Sequence, residues 1–289
     1  MGTKYINVSL LFFILLFSVI QIPAQQEAIF KKFAGTYVTG HEFGGGSIKL
    51  ETDGTFSDGG GSDDGTEVST SGNYTLSDGV LHFKITKQMG KRALDRKEFN
   101  LLDPEERKEM FRGEDTGEAE REFKRLPIEW SERIYLINES ELKNFANAIN
   151  LGIEPRSSLI SRDDSSPWYG SFYLRSGDER KKVIGNPNLP EKWLSFLLRK
   201  PLIAKVTDIQ EVEKREFVTI STVTINKGSK HGLKVGMRLL NKDEVPSQWG
   251  GLEVISVEKE TAKIEARLSR NELKVGDKLS TRYKPKMLY

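Results

Sequence analysis

Side chains able to carry acid–base or metal chemistry are thinly spread. The chain has three histidines, His41, His82 and His231, and no cysteine, so no thiolate nucleophile exists and no imidazole pair has metal-ligand spacing. His41-Glu42 opens like a zinc-protease helix, but the second histidine is absent four residues on, and the Gly44-Gly45-Gly46 that follows does not favour a helix. No Gly-x-Ser-x-Gly elbow occurs, and there are too few histidines for a convincing Ser-His-Asp set. Carboxylates are plentiful. Glu129, Glu132, Asp163 and Asp164 could face one another across a cleft as the acid pair of a carboxylate-dependent hydrolase, although with 42 acidic residues such juxtapositions arise by chance and solvated acids are the default. The run Asp58 to Glu67 gathers oxygen donors around three successive glycines but lacks the ligand spacing of a calcium loop. It reads as a hairpin loop, and the triple-glycine runs lack the Gly-Lys-Ser/Thr of a phosphate loop. No metal or cofactor is expected, and the balance leans away from an enzyme.

The densest mixture of aromatic and charged residues lies around Trp130, in Glu154-Pro155-Arg156, and in Trp168-Tyr169-Gly170-Ser171-Phe172-Tyr173. Guanidiniums beside aromatic rings grip carboxylates and anionic glycans. Trp130, Arg133, Arg156, Trp168, Tyr169 and Arg175 are therefore the candidate recognition surface. The bland alternative is that aromatics at strand spacing serve the core and its hairpins.

What positions these residues begins with the address. Lys4 precedes an apolar run from Val8 to Ile20, and Gln21-Ile22-Pro23-Ala24 then leads into a polar chain. This is the form of a secretory signal peptide over residues 1–24, with cleavage expected after Ala24. A retained anchor would want roughly 20 unbroken apolar residues, so no transmembrane span is expected after cleavage. The destination is periplasmic or extracellular. The net charge of +2, which becomes +1 on loss of Lys4, offers no general field for nucleic acid. Without disulfides, ordinary cores must stabilise the exported chain.

From Phe33 to Thr86 the pattern is short alternating runs with glycine turns. Asp53-Gly54 and Asp78-Gly79 sit between alternating apolar positions and predict tight hairpins. Leu81, Phe83 and Ile85 at period two predict one buried strand face, with His82 turned outward. Residues 90–125 carry dense alternating charge and read as an exposed insertion, with a helix expected from Asp103-Pro104 through about Phe111. Order returns in a hairpin around Ser131-Glu132. Asn138 then caps a helix whose Leu142, Phe145, Ala146 and Ile149 share one face and which Gly152 ends. Gly170 to Arg175 predict a strand, and Pro190 opens a helix stopped by Pro201. These elements define an α+β domain over residues 27–200. In Gly35-Thr36-Tyr37, Leu50-Glu51-Thr52-Asp53-Gly54-Thr55-Phe56 and Gly72-Asn73-Tyr74 the chain resembles lipocalin-like meanders of exported bacterial proteins.

The last segment, residues 201–284, repeats itself. Leu233-Lys234-Val235-Gly236-Met237-Arg238-Leu239 matches Leu273-Lys274-Val275-Gly276-Asp277-Lys278-Leu279, each a glycine turn feeding a strand. With strands expected over 217–226, 251–259 and 261–268, the repeats mark equivalent turns of a small β-barrel. Through Asn226-Lys227-Gly228-Ser229-Lys230-His231-Gly232-Leu233-Lys234-Val235-Gly236 and Lys274-Val275-Gly276-Asp277 it resembles the C-terminal domain of the flagellar assembly protein T family and the β domains of rod-shape-determining proteins. That resemblance implies a noncatalytic, envelope-associated module.

The fold expected is thus mainly β with α+β elements: an antiparallel, barrel-like meander with packed helices, then a small β-barrel. The function expected is recognition or assembly with an envelope protein partner. The alternative is capture of a small apolar ligand or lipid inside the meander.

Overall fold

The computed structural model describes residues 26–41, 44–62, 67–91, 114–115, 122–153, 155, 172–214, 219–241, 251–268 and 273–282. The leader and the helix expected near Phe111 lie outside these residues. The strands are β1 (Gly35–His41), β2 (Gly44–Leu50), β3 (Thr55–Ser62), β4 (Glu67–Ser77), β5 (Val80–Lys91), β6 (Glu114–Asp115), β7 (Glu122–Trp130), β8 (Arg133–Ile137) and β9 (Tyr173–Arg175) in the N-terminal part. The C-terminal part contributes β10 (Ile203–Lys214), β11 (Thr219–Ile225), β12 (Arg238–Asn241), β13 (Gly251–Val257), β14 (Ala262–Leu268) and β15 (Lys278–Ser280). Residues 26–33 are helical (α1), and two further helices are α2 (Leu142–Leu151) and α3 (Glu191–Leu194).

The protein is mainly β and contains two closed antiparallel barrels. In the first, strands run in the order β4-β3-β2-β1-β9-β8-β7-β5-β6, and pairing of β4 with β5 closes the ring. The second closes in the order β10-β11-β14-β13-β12-β15. No described helix is long and apolar enough to cross a membrane.

The chain divides into two compact units, Met1–Tyr37 with Phe43–Arg125, and Val38–Glu42 with Leu126–Tyr289. In the first unit the meander follows its turn chemistry. Asp78 and Gly79 both hold positive φ, 52° and 76°, as the favoured two-residue hairpin turn requires, and Asp53 accepts hydrogen bonds from the amide and hydroxyl of Thr55. Phe56, Tyr74, Leu81, Phe83 and Ile85 are buried, with the Phe83 and Phe123 rings stacked at 4.4 Å and Phe56 edge-on to both. His82 lies opposite the exposed Thr75 and Lys124, on the outer face. Gly72 is there because the strands leave no room: a Cβ would stand 1.9 Å from the Lys84 carbonyl oxygen.

In the second unit Asn138 does cap, but it caps a 3-10 turn, Glu139–Glu141, which leads into α2. Its side chain accepts from the Ser140 amide, and Gly152 closes α2 in the left-handed conformation at φ 69°. One apolar core is continuous within this unit. Trp130, Tyr135, Phe145 and Phe172 belong to the same buried cluster as Val206, Val223, Leu239, Val254 and Ile264. Of the strand expected at Gly170–Arg175, Tyr173–Arg175 is present and Gly170 and Ser171 lie outside the described residues. The helix expected from Pro190 to Pro201 is corrected to a single turn.

Candidate functional site

Three of the six candidate recognition residues, Arg156, Trp168 and Tyr169, lie outside the described residues. The structure draws the other three into one neighbourhood. Trp130 is buried, and its indole N–H donates to the Gly185 carbonyl at 2.9 Å. Arg133 is only 4% exposed, and its guanidinium donates to the carbonyl oxygens of Lys181 and Glu179, at 2.6 and 3.0 Å. Asp178, also buried, accepts from the Ile134 amide at 3.0 Å and from Arg175 Nε at 3.1 Å, and pairs with Lys181 Nζ at 2.6 Å. These side chains fasten the β7–β8 hairpin to the segment after β9. A buried carboxylate satisfied by several donors and guanidinium hydrogens spent on carbonyls are what a structural clasp requires. Of the acids considered for hydrolysis, Asp163 and Asp164 lie outside the described residues.

In the first unit a polar group faces the same side as the core. Asp58 stands opposite Ile48 on β2 and Thr70 on β4, and Thr70 stands opposite Gln88 on β5. Since paired residues share a face and every second residue repeats it, Asp58 looks inward beside Phe56. Burial raises its carboxyl above the ordinary aspartate range, and the Arg125 guanidinium and the Gly59 amide pull it back only in part. The Thr70 hydroxyl oxygen is buried with no hydrogen-bond partner. Tyr74, further along β4, donates its hydroxyl to the Glu51 carbonyl at 2.7 Å; burial first, then the Asp53 and Glu51 carboxylates, raises its phenol well above the usual range. Asp58 and Thr70 thus set a carboxyl and a hydroxyl with no hydrogen-bond partner opposite one another on the inner face. The hairpin loop expected from Asp58 to Glu67 is corrected: Asp58 to Ser62 continue β3 and Glu67 begins β4, and the period-two step from Phe56 is the signal that could have placed Asp58 on the inner face.

The C-terminal barrel carries a third arrangement, built on the internal repeat. Gly236 donates its amide to the Val254 carbonyl at 2.7 Å, and Val254 donates back to Met237 at 2.9 Å. The second copy does the same with other residues: Gly276 donates to Val206 and Val206 to Asp277, both at 2.9 Å. Arg238 pairs with Glu253 as Lys278 pairs with Lys205, and β13 and β10 are irregular at matching places, Val254/Ser256 and Val206/Asp208. The barrel is therefore two similar three-stranded halves related by a pseudo-two-fold axis.

Among the described residues, the first repeat turn meets α2. Asn147, fully buried on that helix, donates from Nδ2 to the Gly236 carbonyl and accepts at Oδ1 from the Arg238 amide, both at 2.9 Å. Lys143, one turn earlier, pairs with Glu253 at 3.0 Å, and Lys234 reaches Ser195 Oγ at 2.9 Å. A strand-entry turn presenting one carbonyl and one amide to a carboxamide is a complete recognition device, because both buried backbone groups are satisfied by one side chain. Asparagine inside a helix gave no sequence signal of this.

Among the described residues no group of three or more histidine, aspartate or glutamate side chains is arranged to hold a metal ion. No family model, no curated protein and no solved structure matches the chain.

Proposed function

We propose that this chain is an exported, noncatalytic envelope protein whose work is protein–protein recognition: an N-terminal lipocalin-like domain over 27–200 joined to a small barrel over 201–284 that docks helices. The observation that carries it is the grip of the barrel turn on Asn147, since a turn that binds a helix of its own chain has the chemistry to bind one of another. The leader pattern supports export. In-cell chemical crosslinking followed by envelope fractionation and N-terminal sequencing tests it. A mature chain starting at Gln25 and attached to a reproducible envelope protein supports the proposal; an intact leader or an unattached soluble monomer overturns it.

A second function is favoured by one observation, the inward Asp58 beside the partnerless Thr70 hydroxyl. The first barrel would then hold a small molecule or lipid with its polar end on these two side chains. Native mass spectrometry of protein purified from its own cells tests this: a bound small molecule lost in Asp58→Ala supports it, and bare protein counts against it.

A further inference from the structure

We infer that the second repeat turn, Lys274–Lys278, is the docking site for a helix of a partner protein, and that this helix carries a carboxylate one turn before an asparagine or glutamine. The inference rests on the proposed recognition function and assigns it a surface.

The two turns are equivalent in backbone, with matching hydrogen bonds to Val254 and Val206 and positive φ at Gly236 and Gly276, 86° and 101°. They differ in cover. Under α2, Gly236 and Met237 are buried, whereas Gly276 and Asp277 are half-exposed and Lys278 is exposed. Val275 at 64% and its counterpart Val235 at 59% are alike in exposure, so the difference in cover lies at Gly276, Asp277 and Lys278. The device that receives Asn147 is thus present twice and engaged by α2 once.

The charges name the second occupant. At the first turn Glu253 receives Lys143 of the docked helix. The residue in its place at the second turn is Lys205, and directly across the ladder from it stands Lys278. Like charges in direct cross-strand register are destabilising, and an anionic partner removes that repulsion. A helix docked as α2 is docked would place its residue at the Lys143 position against Lys205, and that residue must be acidic. Leu240, which packs on Ala148 and Leu151 of α2, is matched by Ser280, so the second surface takes a more polar helix than α2 itself. Charge complementarity of this kind fixes register and excludes wrong partners.

The test places a photoreactive side chain at Val275 or, as a second position on the same barrel, at Ile255, in the full-length protein in its own cells. Each capture is repeated with Lys205→Glu and Lys278→Glu. A protein captured from position 275, crosslinked through a peptide with an acidic residue three or four places before Asn or Gln, and reduced at least roughly tenfold by either charge reversal, is the expected result. Capture from 255 alone would leave recognition by the barrel standing and overturn the assignment of the turn. No protein from either position, or only lipid at 275, would overturn the inference; absence of any protein captured from the whole chain would overturn the recognition function with it.

Discussion

Asn147 and Gly236 are joined by a single 2.9 Å hydrogen bond from carboxamide to carbonyl, and the other end of the same carboxamide accepts from Arg238. One side chain thereby satisfies both faces of a barrel turn. Asn147→Ala leaves a buried carbonyl and an amide unpaired, and the expected cost is about 3 kcal/mol, read by urea denaturation. Asn147→Asp keeps the acceptor but sets a carboxylate oxygen against the Gly236 carbonyl, so it should be no better tolerated than alanine. Equal stability of both variants and wild type would show that the turn does not depend on this contact.

Gly72 and Gly59 separate close packing from open space along the same hairpin. An added methyl at Gly72 meets the Lys84 carbonyl, while at Gly59 nothing lies within 4 Å. Gly72→Ala should cost about 3 kcal/mol by forcing the strands apart, and Gly59→Ala should change thermal stability little. The pair is measured together in one melting experiment.

Asp58 makes stability depend on pH in a known direction. Its folded-state carboxyl holds protons more tightly than an ordinary aspartate, because burial outweighs the help of Arg125. The folded state therefore binds more protons than the unfolded one above the ordinary aspartate range, and stability falls as pH rises through the raised value. Asp58→Asn removes that loss. Relative to wild type it should gain stability as pH is raised from about 3 to about 7, in parallel denaturant titrations; a gain in the opposite direction would show that the carboxylate is stabilised where it lies.

Asp178 holds the segment after β9 to the hairpin through the Ile134 amide, Arg175 and Lys181. Replacing it by alanine removes the acceptor of the Ile134 amide and the buried carboxylate that Arg175 and Lys181 pair with, at an expected cost of about 3 kcal/mol. Hydrogen exchange should rise in residues 178–189 before it rises in β10–β14. Uniform exchange across both would mean that this segment is not separately fastened.

Much of the scaffold was legible because its signals are local. Asp53-Gly54 and Asp78-Gly79 announce their turns by chemistry, Leu81, Phe83 and Ile85 announce a strand face by period, and the Lys-Val-Gly repeat announces equivalent turns. β10 was not legible: a bulge between Val206 and Asp208 breaks its alternation, and its outer face mixes the exposed apolar Ile203 with Lys205 and Thr207. The clasp of Arg133 with Lys181 and Glu179 was hidden because its partners are backbone carbonyls about fifty residues away. Asn147 was hidden for a similar reason, since only the closed barrel shows that a helix-interior amide meets a turn.

The central claim is that the barrel holds this protein in an assembly. The most direct measurement is the native size of the full-length protein gently extracted from its own cells, compared with the Lys205→Glu/Lys278→Glu variant. A wild-type complex larger than the monomer that collapses to monomer in the charge-reversed chain is the result expected; a wild-type protein already monomeric in that extract would contradict it.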